Sequence, residues 1–420
     1  MKLIDRSLTD VVAEAMASAR VVALLGPRQA GKSTLARMLA VERLGADYLS
    51  LDDEPVRSLA SADPAGFVAA RDRPTVIDEV QRAPELLLAI KSRVDRDPAP
   101  GQFLLTGSAN LRRIPAVSDA LPGRVDYLSL WPFTQGEIAG RREDFLTRIF
   151  KGQAPMIVDA PIGRHRYAQA LLTGGFPEAH ARPASARSRF FSSYVDSIID
   201  RDVADASRVR DPASVGTLLR LLAARSGALA RYDALARDVG IDGKTVKSHI
   251  DVLERLFLVR IRRAWHVNLG QRQVKAPKLY ISDTGLLSAL VGADEGRVRD
   301  DDGFAGALFE TFVATELERQ ASWLPQPLSF WHYRDGDREV DVVIERPSGE
   351  VVGVEVKAGA TVRSRDFAGL SQLRARLGSR MVAGVILYAG AHTLPFGVGL
   401  WAVPLQAMWA GERRSKSQAP

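Results

Sequence analysis

The sequence predicts an α/β protein made of successive modules: a parallel sheet carrying a phosphate-binding loop, a helical middle, and a second α/β unit. Three observations predict this. Gly26-Pro27-Arg28-Gln29-Ala30-Gly31-Lys32-Ser33-Thr34 fits the pattern G-x-x-x-x-G-K-[ST] at every fixed position. Before it, Val21–Leu25 is a short apolar run of the kind that forms a buried parallel strand, and after it Thr34–Ala40 has helical spacing. Far downstream, Arg338–Glu345 and Val351–Lys357 flank Pro347-Ser348-Gly349-Glu350, which reads as a hairpin of a different domain.

With 420 residues the chain exceeds one ordinary core. We divide it into a phosphate-loop domain at 1–150, a helical lid or linker at 151–212, a winged-helix-like domain at 213–300, a C-terminal α/β domain at 301–410 and a polar tail at 411–420. At 46% hydrophobic and 25% charged residues the composition is that of a globular protein. The net charge of +7 favours a polyanionic partner such as nucleic acid. The absence of cysteine excludes disulfides and thiolate zinc sites. No apolar run is long enough to span a bilayer and Met1–Arg6 lacks the apolar stretch of a secretion signal, so the expectation is a cytoplasmic protein without membrane contact.

Each element of the first domain then has a chemical reading. Gly26 and Gly31 let the backbone wrap a polyphosphate, and the free N–H groups of the following helix favour anions. The whole loop, from Gly26, Pro27, Arg28, Gln29 and Ala30 to Gly31, Lys32, Ser33 and Thr34, would line the nucleotide. Lys32 would reach the β- and γ-phosphates and Ser33 would ligate Mg²⁺. Asp47–Asp53 reads as a second strand, and Pro74–Glu79 as a third, ending in two acids. Asp78 would hold Mg²⁺ directly or through water, and Glu79 would orient and deprotonate the attacking water. Gln102–Asn110 is a further buried strand. Its polar end offers Thr106, Ser108 and Asn110 as sensors of the γ-phosphate, or simply as a strand-to-loop transition. Arg124, with Arg112 and Arg113 as competitors, would supply transition-state charge in cis or to a neighbouring subunit, or serve only as a surface residue. Whether the chain forms a homo-oligomer stays open.

The runs Gly26–Thr34, Val76–Leu87, Phe103–Leu111, Leu121–Arg124 and Leu130–Glu137, followed by Gly174–Glu178 and Arg201–Val203, resemble the bacterial and archaeal AAA-type P-loop ATPases that carry an uncharacterised C-terminal extension. The resemblance covers nearly the whole chain. It implies ATP and Mg²⁺ as ligands and a RecA-like P-loop NTPase sheet with helices on both faces. It further implies a helical segment, a winged helix and a nuclease-like α/β domain.

In the middle, Val215–Ala224, Tyr232–Val239 and a helix from Asp242 through Leu256 give a helix-turn-helix layout with Gly240 in the turn. Leu258–Arg263 and Lys278–Ile281 suit a wing. Lys244, Lys247 and His249 would face a DNA major groove, and Arg260, Arg262, Arg263, Arg272, Lys275 and Lys278 would contact phosphates. A protein-interaction or lid module has the same layout.

In the C-terminal hairpin, alternation collects Val340, Val342, Ile344, Val352, Val354 and Val356 on one face. Asp341, Glu355 and Lys357 fall on the other when Asp341 pairs with Glu355 or Lys357. Two acids and a lysine on one face suit metal-dependent phosphodiester cleavage. Asp341 and Glu355 would bind Mg²⁺ or Mn²⁺, Lys357 would activate water, and Glu310 would join from the helix at Gly306–Gln320. A solvated face held by an ion pair is the plainer reading. The pattern resembles the PD-(D/E)xK nuclease superfamily, with Asp341 as first acid and Glu355-x-Lys357 as second motif, but Val340 stands where that family usually has proline. The expected function is an ATP-hydrolysing, DNA-directed protein that couples its ATPase to the nuclease-like domain. The alternative is a nucleotide-gated switch or scaffold whose C-terminal domain binds a partner without cutting.

Overall fold

The apolar run Val21–Leu25 becomes strand β1, with all five residues buried. β2 (Asp47–Ser50), β3 (Thr75–Asp78), β4 (Phe103–Gly107) and β5 (Val125–Ser129) join it in a parallel sheet ordered β2-β3-β4-β1-β5. The computed structural model describes residues 3–108, 122–155, 157, 160–203, 209, 211–268, 270, 272 and 275–413. Because β4 lies between β1 and β3 and all run the same way, their C-terminal ends share one edge. That edge is where open α/β sheets bind ligands. Helix Leu86–Arg96 buries Leu86, Leu87, Ile90 and Val94 against Val21, Ala23, Leu25, Ile77 and Leu105. Its i, i+1, i+4, i+8 spacing forms one apolar stripe that holds the sheet rigid beneath the edge.

The chain packs as two compact units: Asp5–Pro132 with Arg255–Phe257, and Phe133–Glu254 with Leu258–Pro420 and the first four residues. Residues 133–150, expected with the phosphate-loop domain, fall in the second unit. That unit holds helices Arg164–Thr173, Ala184–Ser197, Pro212–Ala224, Tyr232–Val239 and Gly243–Arg255. Asp242 caps the last of these, accepting hydrogen bonds from the backbone of Lys244 at 2.9 Å and Thr245 at 3.1 Å. Gly240 supplies the left-handed turn before it, φ +78°. β6 (Arg141–Glu143) comes earlier in this unit, and β7 (Val259–Arg262) and β8 (Lys278–Ile281) pair antiparallel after the helices.

A six-stranded mixed sheet follows, containing β9 (Ser329–Asp335), β10 (Arg338–Glu345), β11 (Val351–Lys357), β12 (Met381–Tyr388), β13 (Leu394–Pro395) and β14 (Leu400–Pro404), in the order β13-β14-β12-β11-β10-β9. The β10–β11 register pairs Val342 with Val354 and Ile344 with Val352 and continues toward Asp341 and Glu355. The expected division into one apolar and one polar face is only partly met. Val343 is fully buried, and a bulge against β9 between Val340 and Val343 puts both residues in one core with Leu370, Leu373 and Leu377 of helix Ala368–Leu377. Thus the sheet is covered on that face too, and the polar residues occupy only its end. Gly411–Arg413, expected in the polar tail, form β15, which pairs antiparallel with β6.

Candidate functional site

The nucleotide edge is assembled from three strand ends. The loop after β1 leads straight into helix Lys32–Leu39, with Gly31 at φ +97°. A Cβ on Gly26 would stand 2.0 Å from the Leu130 carbonyl oxygen, so the backbone at Gly26 passes where only glycine fits. Lys32 is buried, and its Nζ donates to the carbonyls of Gly26 at 3.0 Å and Pro27 at 2.8 Å. Burial pulls its pKa down to about 8, against the opposing pull of Glu79 and Asp78.

Asp78 is the hub. Its Oδ1 accepts from Ser33 Oγ at 3.0 Å and from the Thr106 hydroxyl, and its Oδ2 accepts from Tyr48 OH at 2.8 Å. Burial first, then the Asp78 contact, pushes the Tyr48 phenol up to about 12, so it stays a donor. Thr106 Oγ1 in turn accepts from the Glu79 backbone N–H at 3.1 Å. Glu79 sits at φ +57°, an uncommon conformation for glutamate. Its carboxylate accepts from Gln81 Nε2 and, at 3.2 Å, from Ser108 Oγ. The structure thus brings Lys32, Ser33, Asp78, Glu79, Thr106 and Ser108 together. Asn110, Arg112 and Arg113 lie outside the described residues. Arg124 is paired through two hydrogen bonds with Asp95 of helix Leu86–Arg96.

Sequence reasoning missed Tyr48, Gln81 and Arg6, whose Nη1 donates to the Ala30 carbonyl at 3.0 Å and whose Nη2 donates to Trp131. Gln81 stands two residues from Glu79, a spacing that could have marked it. Arg6 had no such signal. A hydroxyl and a carboxylate 3.0 Å apart beside a Cβ-free cradle fit Mg²⁺ carried in with a polyphosphate.

The second constellation is a buried carboxylate cluster. Glu310 lies on helix Asp302–Ala321, Glu339 and Asp341 on β10, and Glu355 and Lys357 on β11. Lys357 Nζ bonds Glu355 Oε1 at 2.8 Å, and the Val356 N–H donates to Asp341 Oδ2 at 3.0 Å. Lys278 of β8 occupies the centre. Its Nζ reaches Glu310 Oε1 at 2.7 Å, Glu339 Oε1 at 2.5 Å and Asp341 Oδ1 at 3.3 Å. Tyr280 OH adds a bond to Glu310 Oε1 at 2.6 Å. Burial, reinforced by Asp341, pushes Glu310 up to about 7 and Glu355 up to about 8. Donors already take both oxygens of Asp341 and Oε1 of Glu355, while Glu355 Oε2 is buried without a hydrogen-bond partner. Among the described residues no group of three or more His, Asp or Glu side chains is arranged to hold a metal. The expected Mg²⁺ or Mn²⁺ between Asp341 and Glu355 therefore does not fit this arrangement.

Several expected DNA contacts are corrected. His249 points inward, buried and hydrogen-bonded to Ser214 at 2.9 Å, because it continues the apolar stripe of Val246, Ile250 and Leu253. Arg262 is buried against Glu318 and donates to the Ala314 carbonyl, and Arg260 pairs with Glu318. Arg272 is clamped by Glu345. Lys278, read as a phosphate contact, is enclosed by carboxylates. Lys244, Lys247 and Arg263 are exposed.

Comparison with known proteins follows the same division. Residues 18–139 match an AAA domain, residues 164–297 a Domain of unknown function (DUF8612), and residues 305–408 a Domain of unknown function (DUF4143). Uncharacterized proteins Rv2008c of Mycobacterium tuberculosis and Mb2031c of Mycobacterium bovis are each 33% identical over 399 residues, covering 93% of this chain and 81% of theirs. Among solved structures, a Thermotoga maritima RuvB variant is 19% identical, with 60% of this chain and 86% of that one covered and a TM-score of 0.28. C. elegans PCH-2 is 14% identical, with 59% and 70% covered and a TM-score of 0.25. Scores this low carry no argument about this chain. No helix among the described residues is long and apolar enough to cross a membrane.

Proposed function

The chain belongs to the family of these two mycobacterial proteins, and on that premise we propose that it is a Mg²⁺-dependent ATP-hydrolysing switch whose nucleotide cycle governs its C-terminal domain. The observation that carries this reading is the bridge made by Thr106, which joins Asp78 to the backbone of Glu79 and so fixes both acids at the edge facing Lys32 and Ser33. Mg²⁺ arriving with ATP would sit on Ser33 and Asp78 and neutralise phosphate charge. Lys32, already desolvated, would exchange its two carbonyl acceptors for phosphate oxygens. The loop N–H groups would hold the remaining phosphate oxygens in line. Glu79 would take the proton of the attacking water once Gln81 and Ser108 yield its carboxylate.

The C-terminal half offers two uses, cleavage of nucleic acid or binding of a partner without cleavage. The ammonium of Lys278 among Glu310, Glu339 and Asp341 favours the second. DNA-directed action, through a winged-helix-like middle, keeps one specific support. Lys244 and Lys247 are exposed on helix Gly243–Arg255, in a chain of net charge +7.

The test is ATP turnover of wild type, Lys32→Ala and Glu79→Gln, each with and without single- and double-stranded DNA at low salt. Lys32→Ala should lose nucleotide binding. Glu79→Gln should bind ATP but turn over about 10²–10⁴-fold more slowly. Normal turnover by Glu79→Gln defeats the assignment of the base. Stimulation by DNA that Lys244→Ala/Lys247→Ala abolishes selects the DNA-directed reading.

A further inference from the structure

The PD-(D/E)xK resemblance implies a divalent metal at the carboxylate cluster, and the residues present disagree with one. An ammonium has three N–H donors and no acceptor. At Lys278 three carboxylate oxygens from three different side chains lie at 2.5–3.3 Å, those of Glu310 and Asp341 accepting hydrogen bonds and that of Glu339 forming an ion pair. The side chain is 4% exposed, so water does not complete its shell. Further donors engage part of what remains, while Glu355 Oε2 stays buried without a partner. Tyr280 donates to Glu310, the Val356 N–H holds the second oxygen of Asp341, and Lys357 takes Glu355. A divalent ion on the same oxygens would sit at about 2.0–2.6 Å from each, inside the ammonium's own volume and repelled by its charge.

The strand that delivers this lysine is itself fastened in place. Its partner strand β7 is tied to helix Asp302–Ala321 by Arg260 and Arg262 on Glu318. Ser226, just beyond helix Pro212–Ala224, bonds both Thr311 of that helix, at 2.9 Å, and the Ile281 N–H, at 3.1 Å. Lys278 is thus built into the cluster from a separate segment of the fold rather than swung in from solvent.

We infer that Lys278 is the resident cation of this centre and stands in for the metal, so that the C-terminal domain of this chain organises its carboxylates with an internal ammonium and takes no divalent cation. This rests on reading the domain as a nuclease-like scaffold that binds rather than cuts. Lys278 and Tyr280 then act as positioning residues for Glu310 and Asp341.

The experiment is Mn²⁺ titration of the nucleotide-free full chain, wild type against Asp341→Asn, followed by isothermal calorimetry and Mn²⁺ electron paramagnetic resonance. Any Mn²⁺ held at Asp78 is common to both arms and cancels. The two isotherms should superimpose. Loss of one bound Mn²⁺ in Asp341→Asn overturns the inference. A second arm measures urea midpoints. Lys278→Met should unfold at lower urea than wild type, and adding Glu310→Gln should recover part of that loss, since it removes one of the charges left facing each other. A double variant no more stable than Lys278→Met also overturns the inference. If Lys278→Met does not fold, a folded Lys278→Met/Glu310→Gln supports the coupling, and an unfolded one counts against it. ATP turnover is followed alongside. Its absence from wild type sinks the ATPase reading and leaves the Mn²⁺ comparison able to decide on Lys278.

Discussion

Replacing Thr106 with valine keeps the shape of a fully buried side chain and removes both of its hydrogen bonds. The Glu79 N–H is left dry, a loss of about 1–3 kcal/mol, and Asp78 loses one of three donors, a charge-assisted bond of about 1.5–3 kcal/mol. The two losses share one oxygen and do not simply add, so the expected destabilisation of the first unit is about 3 kcal/mol. At about 4 °C per kcal/mol for a unit of this size, its thermal transition should fall by about 12 °C. Activity should fall too. Glu79 holds φ +57° with Thr106 as its pin, and a base displaced by about 1 Å costs on the order of 10²-fold in turnover. Thr106→Ser keeps the hydroxyl and should restore most of the turnover while leaving a small packing defect. The assays are circular-dichroism melting and steady-state ATP hydrolysis on all three proteins. If Thr106→Val melts within about 0.5 kcal/mol of wild type, the scale of an inert substitution, the bridge is not what holds this edge.

Two further outcomes follow from the same geometry. Gln81 donates to the Glu79 carboxylate in competition with water, so Gln81→Leu should raise basal turnover by about tenfold, the worth of one hydrogen bond of roughly 1.4 kcal/mol; a fall in turnover would make Gln81 an aid to catalysis instead. Glu316 is fully buried, its Oε1 accepting from the Gln135 N–H at 2.7 Å, and burial pushes its pKa up to about 8. A raised carboxyl pKa means that the folded state keeps a proton that the unfolded chain has released. Stability therefore falls as pH rises between about 4.5 and about 8. Urea midpoints at both ends of that window should drop less for Glu316→Gln than for wild type, and equal drops would show that Glu316 does not titrate there.

What could be read from the sequence divides along a physical line. The nucleotide edge was legible because its parts are local. Each strand ends in the residues that do the work, and parallel order brings the ends of β1, β3 and β4 to one side without further information. The hairpin acids were legible for the same reason, since period-2 alternation and one turn set their register. Lys278 was not. It lies 32 residues from Glu310 and 63 from Asp341, and in a basic segment it reads as one more phosphate contact. Its strand does carry a warning, because Lys278 and Tyr280 alternate within an apolar run just after Pro277, and a lysine in a wholly buried strand must find acids. The same warning attaches to His249, which stands in the helical stripe of Val246 and Leu253 where an apolar residue belongs. In both cases the residue type suggests a DNA contact, while the spacing says core. Where residue type and periodicity disagree, the periodicity predicts the location and the residue type predicts what must be waiting there. For Lys278 that means three carboxylates, and the chemistry of the C-terminal domain turns on them.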